Sequence, residues 1–304
     1  MRHASTAPRP YRRIRVFERS EARASSFRRV AGWASSVGLT CTLAACGGES
    51  SGSTPTGPSS AAPSATAVSV TVKSPVRMGE SAQATGSATL GSGQPQNVTS
   101  GWRTDAPNVA TVTDAGMVSG VANGRATIYV VTGGRQGQQV IRVVPDYQGQ
   151  WIGTVRVTSC TQTGVFVDVG LCKEVPVNST EEFGVGFTQD GESMNARLFF
   201  GTNGSQTVPA PIAPDGTAAF TASTTFTEEG IRLMLETAWQ VDSPRVGALT
   251  GRINDVYRFA GYSGEGRVSY EIVAASRGST AGTQRTSGGR WSRVPHLLGQ
   301  PLRR

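Results

Sequence analysis

The 304-residue sequence has almost no histidine: His3 and His296 are the only two, one near each end. Imidazole is the usual acid–base group near neutral pH and a frequent metal ligand. Its scarcity excludes most histidine-based catalysis and histidine-ligated metal sites. Cysteine is scarce as well, with four in the chain, too few for a fold stapled throughout by disulfides. Charged residues make up 16% and aromatics 7%. What is abundant is glycine, 38 residues, with serine, threonine and valine beside it, a composition that favours strands and tight turns over helical bundles. The length allows two folded domains plus tails.

The formal net charge of +8 belongs to the ends. Residues 1–45 hold nine arginines against Glu18 and Glu21, and residues 276–304 hold six arginines and no acid. The stretch between them carries 14 bases and 19 acids. A nucleic-acid partner needs a basic face on the folded part, and the folded part is net acidic. No nucleic acid is expected.

Arg28 and Arg29 precede residues 30–45, VAGWASSVGLTCTLAA, a basic segment followed by a moderately apolar one ending in small residues. This is the order of an export signal, and it is too short and too polar to span a bilayer, which takes about 20 apolar residues. Leu43-Ala44-Ala45-Cys46-Gly47 resembles the lipobox of bacterial lipoproteins. The resemblance implies cleavage before Cys46, removal of the signal peptide 1–45 with Cys41 inside it, and acylation of the Cys46 sulfur. Several acyl chains, at about 0.8 kcal/mol per buried methylene, make a durable anchor. The basic leader is longer than such signals usually are. Gly47-Gly48 leaves no retention aspartate after the cysteine, which points to the outer membrane. Residues 46–66 then run through Gly, Ser, Thr, Pro and Ala with a single acid. They are expected to be a disordered tether reaching roughly 25 Å.

Alternation starts at Val68, Val70 and Val72, and about seven short strands follow over residues 67–145, with turns at Asp114-Ala115-Gly116, Asn123-Gly124 and Gly133-Gly134. That spacing predicts a β-sandwich. Trp102, then Asn108-Val109-Ala110-Thr111-Val112, then Gly116-Met117-Val118-Ser119-Gly120-Val121, then Gly124-Arg125-Ala126-Thr127-Ile128 resemble the bacterial Ig-like group 2 domain. The resemblance covers about 75 residues. It implies an Ig-like sandwich without a disulfide, the module of intimin- and invasin-type adhesins and a common spacer, with Trp102 filling the space between its sheets.

Residues 146–275 show longer alternating segments: Phe183, Val185, Phe187; Met194, Ala196, Leu198, Phe200; Val208, Ala210, Ile212; Phe220, Ala222, Thr224, Phe226; Ile231, Leu233, Leu235, Thr237, Trp239; Val268, Tyr270, Ile272. Asp190-Gly191 and Glu228-Glu229-Gly230 mark tight turns, and Leu249 to Phe259 is less regular. Eight one-sided strands in a meander close most simply into an up-and-down barrel; a jelly roll or open sandwich is the alternative. Gly149-x-Trp151 resembles the opening of lipocalins and related calycins over three residues. That likeness implies a basic residue of the last strand packing on Trp151, with Arg267 the candidate.

Cys160 and Cys172 remain after processing and are expected to form a disulfide in an exported protein, with about 2–3 kcal/mol from closing so short a loop. The acid pairs Glu181-Glu182 and Glu228-Glu229 are sequence neighbours, so in a strand they face opposite ways, unlike the facing carboxylates of a glycosidase. Asp190, Asp242 and Asp255 follow no calcium-loop pattern. No catalytic residue, metal or cofactor is assigned. Trp151, Phe200, Phe220 and Trp239 either line a small apolar pocket or simply fill the barrel. Residues 276–304 lack periodicity and read as a disordered Arg-rich tail, with attraction to anionic lipid or cell-wall polymer the alternative, and Val294 to Leu298 too short to anchor anything.

The sequence thus predicts an all-β, membrane-anchored lipoprotein of the cell surface or periplasm. Its role is read as non-enzymatic: adhesion, binding of a glycan, cell-wall or protein ligand, or spacing. The other reading is a lipocalin-like carrier of a small apolar ligand.

Overall fold

The computed structural model describes residues 64–279 apart from Ser92, and residues 297–299. Cys46, the leader before it and the tether up to residue 63 lie outside the described residues. The described chain is all-β apart from two short helices and one 3-10 turn.

Ten strands precede residue 145: β1 (Ala65–Thr71), β2 (Val76–Arg77), β3 (Ser81–Gln83), β4 (Thr85–Leu90), β5 (Pro95–Val98), β6 (Trp102–Thr104), β7 (Ala110–Val112), β8 (Met117–Gly120), β9 (Gly124–Thr132) and β10 (Arg135–Val144). They form three sheets, in the orders β1-β4-β5, β2-β10-β9-β6 and β3-β8-β7. The strand count exceeds the seven expected because short stretches such as β2 and β3 join different sheets on either side of a turn at Met78–Glu80. The first strand also starts earlier, at Ala65. Period-2 alternation turns Ala126, Ile128 and Val130 of β9 inward, where they meet Ile141 and Val143 of β10 and Val118 of β8. Gly133 and Gly134 connect β9 to β10 with φ of 53° and 74°, the left-handed pair that a two-residue hairpin requires. Trp102 is buried among these side chains. Two glycines make room for it: a Cβ on Gly86 or Gly116 would stand 3.2 or 3.0 Å from the indole.

The second region is one eight-stranded antiparallel meander: β11 (Gly149–Gln162), β12 (Thr180–Asp190), β13 (Ser193–Phe199), β14 (Ser205–Pro209), β15 (Ala218–Glu228), β16 (Ile231–Asp242), β17 (Thr250–Phe259) and β18 (Gly266–Gly278). The sheet order is β14-β13-β12-β11-β18-β17-β16-β15. The first strand therefore pairs with the last, along twelve residue pairs from Gln150–Gly278 to Gln162–Gly266 with two bulges. The remaining seam lies between the fourth and fifth strands. No ladder joins β14 to β15. Side chains bridge them instead: Asn203 Nδ2 donates to the Thr225 carbonyl (2.8 Å), and the Ser223 amide donates to Gln206 Oε1 (3.2 Å). One isolated bridge links Ile212 and Ala218. The result is a nearly closed barrel.

Sandwich and barrel belong to one compact unit. Three barrel loops grip the sandwich. Arg142 Nη2 donates to the Pro214 carbonyl at 2.6 Å, and its Nε lies 3.2 Å from the Glu192 carboxylate. Val246 packs on Gly79, and Pro75 on Gly191. Asp146, between the two regions, meets Arg77 of β2 and Arg277 of β18.

The expectation of a structureless tail from 276 onward is corrected at two places. Strand β18 continues through Gly278. Leu297 and Leu298 are buried members of the barrel's hydrophobic cluster.

Candidate functional site

The barrel interior is built in layers, because every second residue of each strand points inward. Nearest the sandwich is an aromatic floor. Tyr147–Phe187, Phe187–Phe220, Phe220–Trp239 and Trp239–Phe183 are neighbouring rings with centroids 5.8, 6.0, 5.7 and 5.9 Å apart. Such ring pairs are worth about 0.5–1.5 kcal/mol each beyond area burial. Tyr147 enters just before β11 and is fully buried. Its hydroxyl donates to the Gly216 carbonyl (2.7 Å) and lies 3.2 Å from the Val241 carbonyl, tying the β14–β15 loop to the end of β16. Burial, with the Asp242 charge adding to it, pushes the phenol well above its ordinary pKa. The Tyr147 carbonyl in turn accepts from Trp151 Nε1 at 2.7 Å.

The Trp151 ring is covered by Arg277, whose guanidinium carbon stands 5.2 Å from the ring centroid, a cation–π distance. Arg277 is also hydrogen-bonded to Asp146. The sequence expectation named Arg267 for this role, and that is corrected. Arg267 is exposed and pairs with Glu265, whose carboxyl it and Arg258 hold below the usual range.

Two small inward residues stand among these rings, Ala196 of β13 opposite Phe187 and Ala222 of β15 opposite Thr237. Here the lining turns polar. Thr237 of β16 and Asp255 of β17 are direct cross-strand partners, and both are buried. Thr237 Oγ1 accepts from Trp239 Nε1 at 2.9 Å, and the Tyr257 hydroxyl lies 3.3 Å from Asp255 Oδ2. Tyr270 of β18, opposite Ile253, is buried as well. A buried polar side chain needs hydrogen-bond partners, and Asp255 has one in the Tyr257 hydroxyl.

The end of the barrel away from the sandwich is covered by two helices between β11 and β12, α1 (Val165–Val169) and α2 (Leu171–Glu174). Phe166 stacks on Phe259 at 5.0 Å, and Leu171 lies against Gly266, where a Cβ would be 2.1 Å from Leu171 Cδ2. The Cys160–Cys172 disulfide, with Cα atoms 5.6 Å apart, ties α2 back to β11.

Of the four predicted pocket residues, Phe220 and Trp239 stack on each other in the floor. Trp151 lies at the same end, under Arg277. Phe200 follows the last residue of β13, at the helical end of the barrel. All four belong to one buried cluster. Sequence reading missed Thr237 and Asp255 as a polar pair. The available signal was the inward set Ile253, Asp255, Tyr257 and Phe259. Glu228 and Glu229 sit exposed at their turn, and Glu182 is exposed on β12. Among the described residues no three His, Cys, Asp or Glu side chains gather as metal ligands, and no helix is long and apolar enough to cross a membrane.

No family model matches the chain, and no curated protein matches it. Among solved structures it is similar to the S-layer protein SbsC (31–844), at 12% identity over 62% of this chain and 40% of that one, with a TM-score of 0.24. It is similar to domains 4–9 of the surface layer protein SbsC at 13% identity over 71% of this chain and 44% of that one, with a TM-score of 0.21. The chain thus spans less than half of these S-layer chains. Likeness at this level carries no argument about what the chain does.

Proposed function

We propose that the chain is an exported bacterial lipoprotein, acylated at Cys46, in which an Ig-like spacer holds a β-barrel out from the cell envelope for non-enzymatic binding. The observation that supports this most is the junction. Arg77, Asp146 and Arg277 form a charged chain from sandwich to barrel. Arg142 holds Glu192 and the Pro214 carbonyl from the sandwich side. The Arg77–Asp146–Arg277 chain and the two contacts of Arg142 restrict motion of the barrel against the sandwich, which suits a spacer that carries a load. The buried Trp102 and the lack of any cysteine in 64–145 agree with the Ig-like group 2 resemblance. The outer membrane is the proposed site of anchoring.

Mass spectrometry of the mature protein tests the anchor. The expected product begins at a diacylglyceryl-modified Cys46, and Cys46→Ala releases the protein from membranes. An unmodified product with its leader intact overturns the reading. Pull-down of the mature protein on peptidoglycan, glycan arrays and matrix proteins then tests binding.

A second reading, a carrier of a small apolar ligand, is favoured by the Arg277–Trp151 stack together with the buried Thr237–Asp255 pair. Native mass spectrometry of the purified protein checks it, with a co-purifying lipid as the expected result.

A further inference from the structure

The two regions carry opposite charge. Residues 64–145 hold six bases and three acids, whereas residues 146–275 hold eight bases and fifteen acids. Three of the six sandwich bases share one surface. Trp102 of β6, Ala126 and Ile128 of β9, and Ile141 and Val143 of β10 point inward, so Arg103, Arg125 and Arg142 stand on the outward face of the same sheet. Arg125 and Arg142 are direct cross-strand partners. Like charges placed opposite each other are destabilising, and the fold compensates only one of them. Arg142 is mostly buried and is held by Glu192 and the Pro214 carbonyl. Arg125 is exposed, and among the described residues no carboxylate pairs with it. Arg103 has no carboxylate partner among them either: it donates to Gln136 Oε1 at 2.9 Å and stands 5.9 Å from the Tyr129 ring centroid. The Arg125–Arg142 pair lines a hollow of about 320 Å³ where this face meets the β12–β13 turn, with Ser74, Val140 and Glu192 also in its wall. Ser74 Oγ accepts the Arg142 amide at 3.0 Å, which leaves its own O–H to donate.

We infer that this hollow seats a carboxylate of an acidic polysaccharide, whose sugars run along the outward face of the sandwich toward Arg103. The inference rests on the binding reading above and gives the sandwich a share in that binding. Three features set the ligand class. The first is charge. Three arginines face Asp105 and Glu192, of which Glu192 is taken by Arg142 and Asp105 accepts the Thr127 amide at 2.7 Å. An anionic partner relieves the Arg125–Arg142 repulsion that the fold leaves in place. The second is spacing. Arg103 pairs with Tyr129 across the β6–β9 ladder, four residues along β9 from Arg125, roughly 13 Å. Two cations so far apart suit anionic groups repeated along a chain rather than one small ion. The third is the surface between them. Val140, opposite Thr127 and 55% exposed, offers an apolar contact to the C–H face of a sugar ring. Tyr129 is the one aromatic ring among the outward residues of β6, β9 and β10, and Arg103 already engages it. A single-stranded nucleic acid, which stacks its bases on open rings, finds no such platform here.

The test is an NMR titration of the isotope-labelled full-length mature chain carrying Cys46→Ala, at low salt, with trigalacturonate as probe. The amides of Arg125, Thr127, Val140 and Arg142 are expected to shift. Arg125→Ala should weaken binding about fivefold or more, as loss of a charge-assisted contact does, while Arg252→Ala, on the exposed outside of the barrel, leaves it unchanged. The melting temperature of Arg125→Ala should not fall, because the variant removes a like-charge pair. Shifts confined to the barrel or to the Arg-rich residues 276–304 overturn the site, and equal shifts with the trimethyl ester of the probe overturn the carboxylate seat. An equal or tighter response to a thymidylate trinucleotide overturns the sugar class. No response to trigalacturonate overturns the inference, and the binding reading then stands or falls separately on the peptidoglycan, glycan and matrix pull-downs. In case Arg125→Ala is destabilised, Arg103→Ala reads the other end of the face: affinity reduced about twofold or more supports the track, and unchanged affinity refutes it.

Discussion

In the sandwich, nearly every buried side chain is aliphatic and Trp102 is the one large ring, whereas the barrel core is laced with aromatics and contains a carboxylate. The sandwich is made of three small sheets whose inner faces need only alternate and interlock. Its glycines are shaped around the single indole. The barrel must fill a cylinder, so rings recur along its length, from Phe187, Phe220 and Trp239 at the sandwich end to Phe166 and Phe259 under the helices. The difference teaches where each region can tolerate change. A sandwich built on one ring fails at that ring. A barrel with many rings spreads the same burial over several of them.

The sharpest way to break this comparison is Trp102→Ala. It should cost about 3–5 kcal/mol, the range for deleting a buried aromatic side chain, measured by urea unfolding; a cost under about 1 kcal/mol would mean the sandwich does not depend on its ring. Replacing Cys160 and Cys172 together with serine should cost about 2–3 kcal/mol and act on the barrel alone. Hydrogen exchange resolves the two regions and should show faster exchange around α1, α2 and β11 only. Gly116→Ala should cost more than about 1 kcal/mol, because φ is +80° there and the new methyl meets Trp102.

Both regions carry depressed carboxyls, Glu80 and Asp105 in the sandwich and Asp215 and Glu265 in the barrel, and the barrel should in addition respond to alkali. Glu80 is hydrogen-bonded to Arg77 and Asp105 accepts the Thr127 amide, so both carboxyls lie below their ordinary range. Their contribution is present above the unfolded carboxylate pKa and is lost as pH falls through the depressed folded values. Tyr147 is the reverse: its raised folded pKa gives the barrel stability that is present below about pH 10 and is lost as pH rises beyond it. Tyr147→Phe should remove that alkaline loss, which thermal melts between pH 8 and 11 will show. The smallest expected effect is a gain. Glu229 takes φ +50° in the turn before Gly230, so Glu229→Gly should stabilise the β15–β16 hairpin by up to about 1 kcal/mol.

Strands such as β12, β15 and β16 were legible in the sequence because their large apolar residues recur at every second position, with glycines between them in β12 and mostly polar residues between them in β15 and β16. The Cys160–Cys172 pairing was legible from export and count. β17 was not, because Asp255 points inward and breaks the apolar register that would have revealed it. The helices over the far end are five and four residues long, shorter than any helical period can show. The exchange of Arg267 for Arg277 follows from strand direction: Trp151 stands near the start of β11, so in the antiparallel ladder its partner is near the end of β18, at Arg277, while Arg267 lies opposite Thr161. Leu297 and Leu298 were hidden by brevity, two apolar residues in a polar segment.

The seam between β14 and β15 has one more consequence. Because the ladder is interrupted there, residues 149–209 and 218–278 are two contiguous four-stranded sheets, each paired strand to neighbour. They meet along the long β11–β18 ladder, whose partners lie more than 100 positions apart in sequence. A chain severed within 210–217 would lose no interstrand ladder. Its fragments carry matching edges and should find each other, as the halves of a reconstituting reporter do. The slow event in forming the barrel is then the late zippering of those two edges rather than any hairpin within a half.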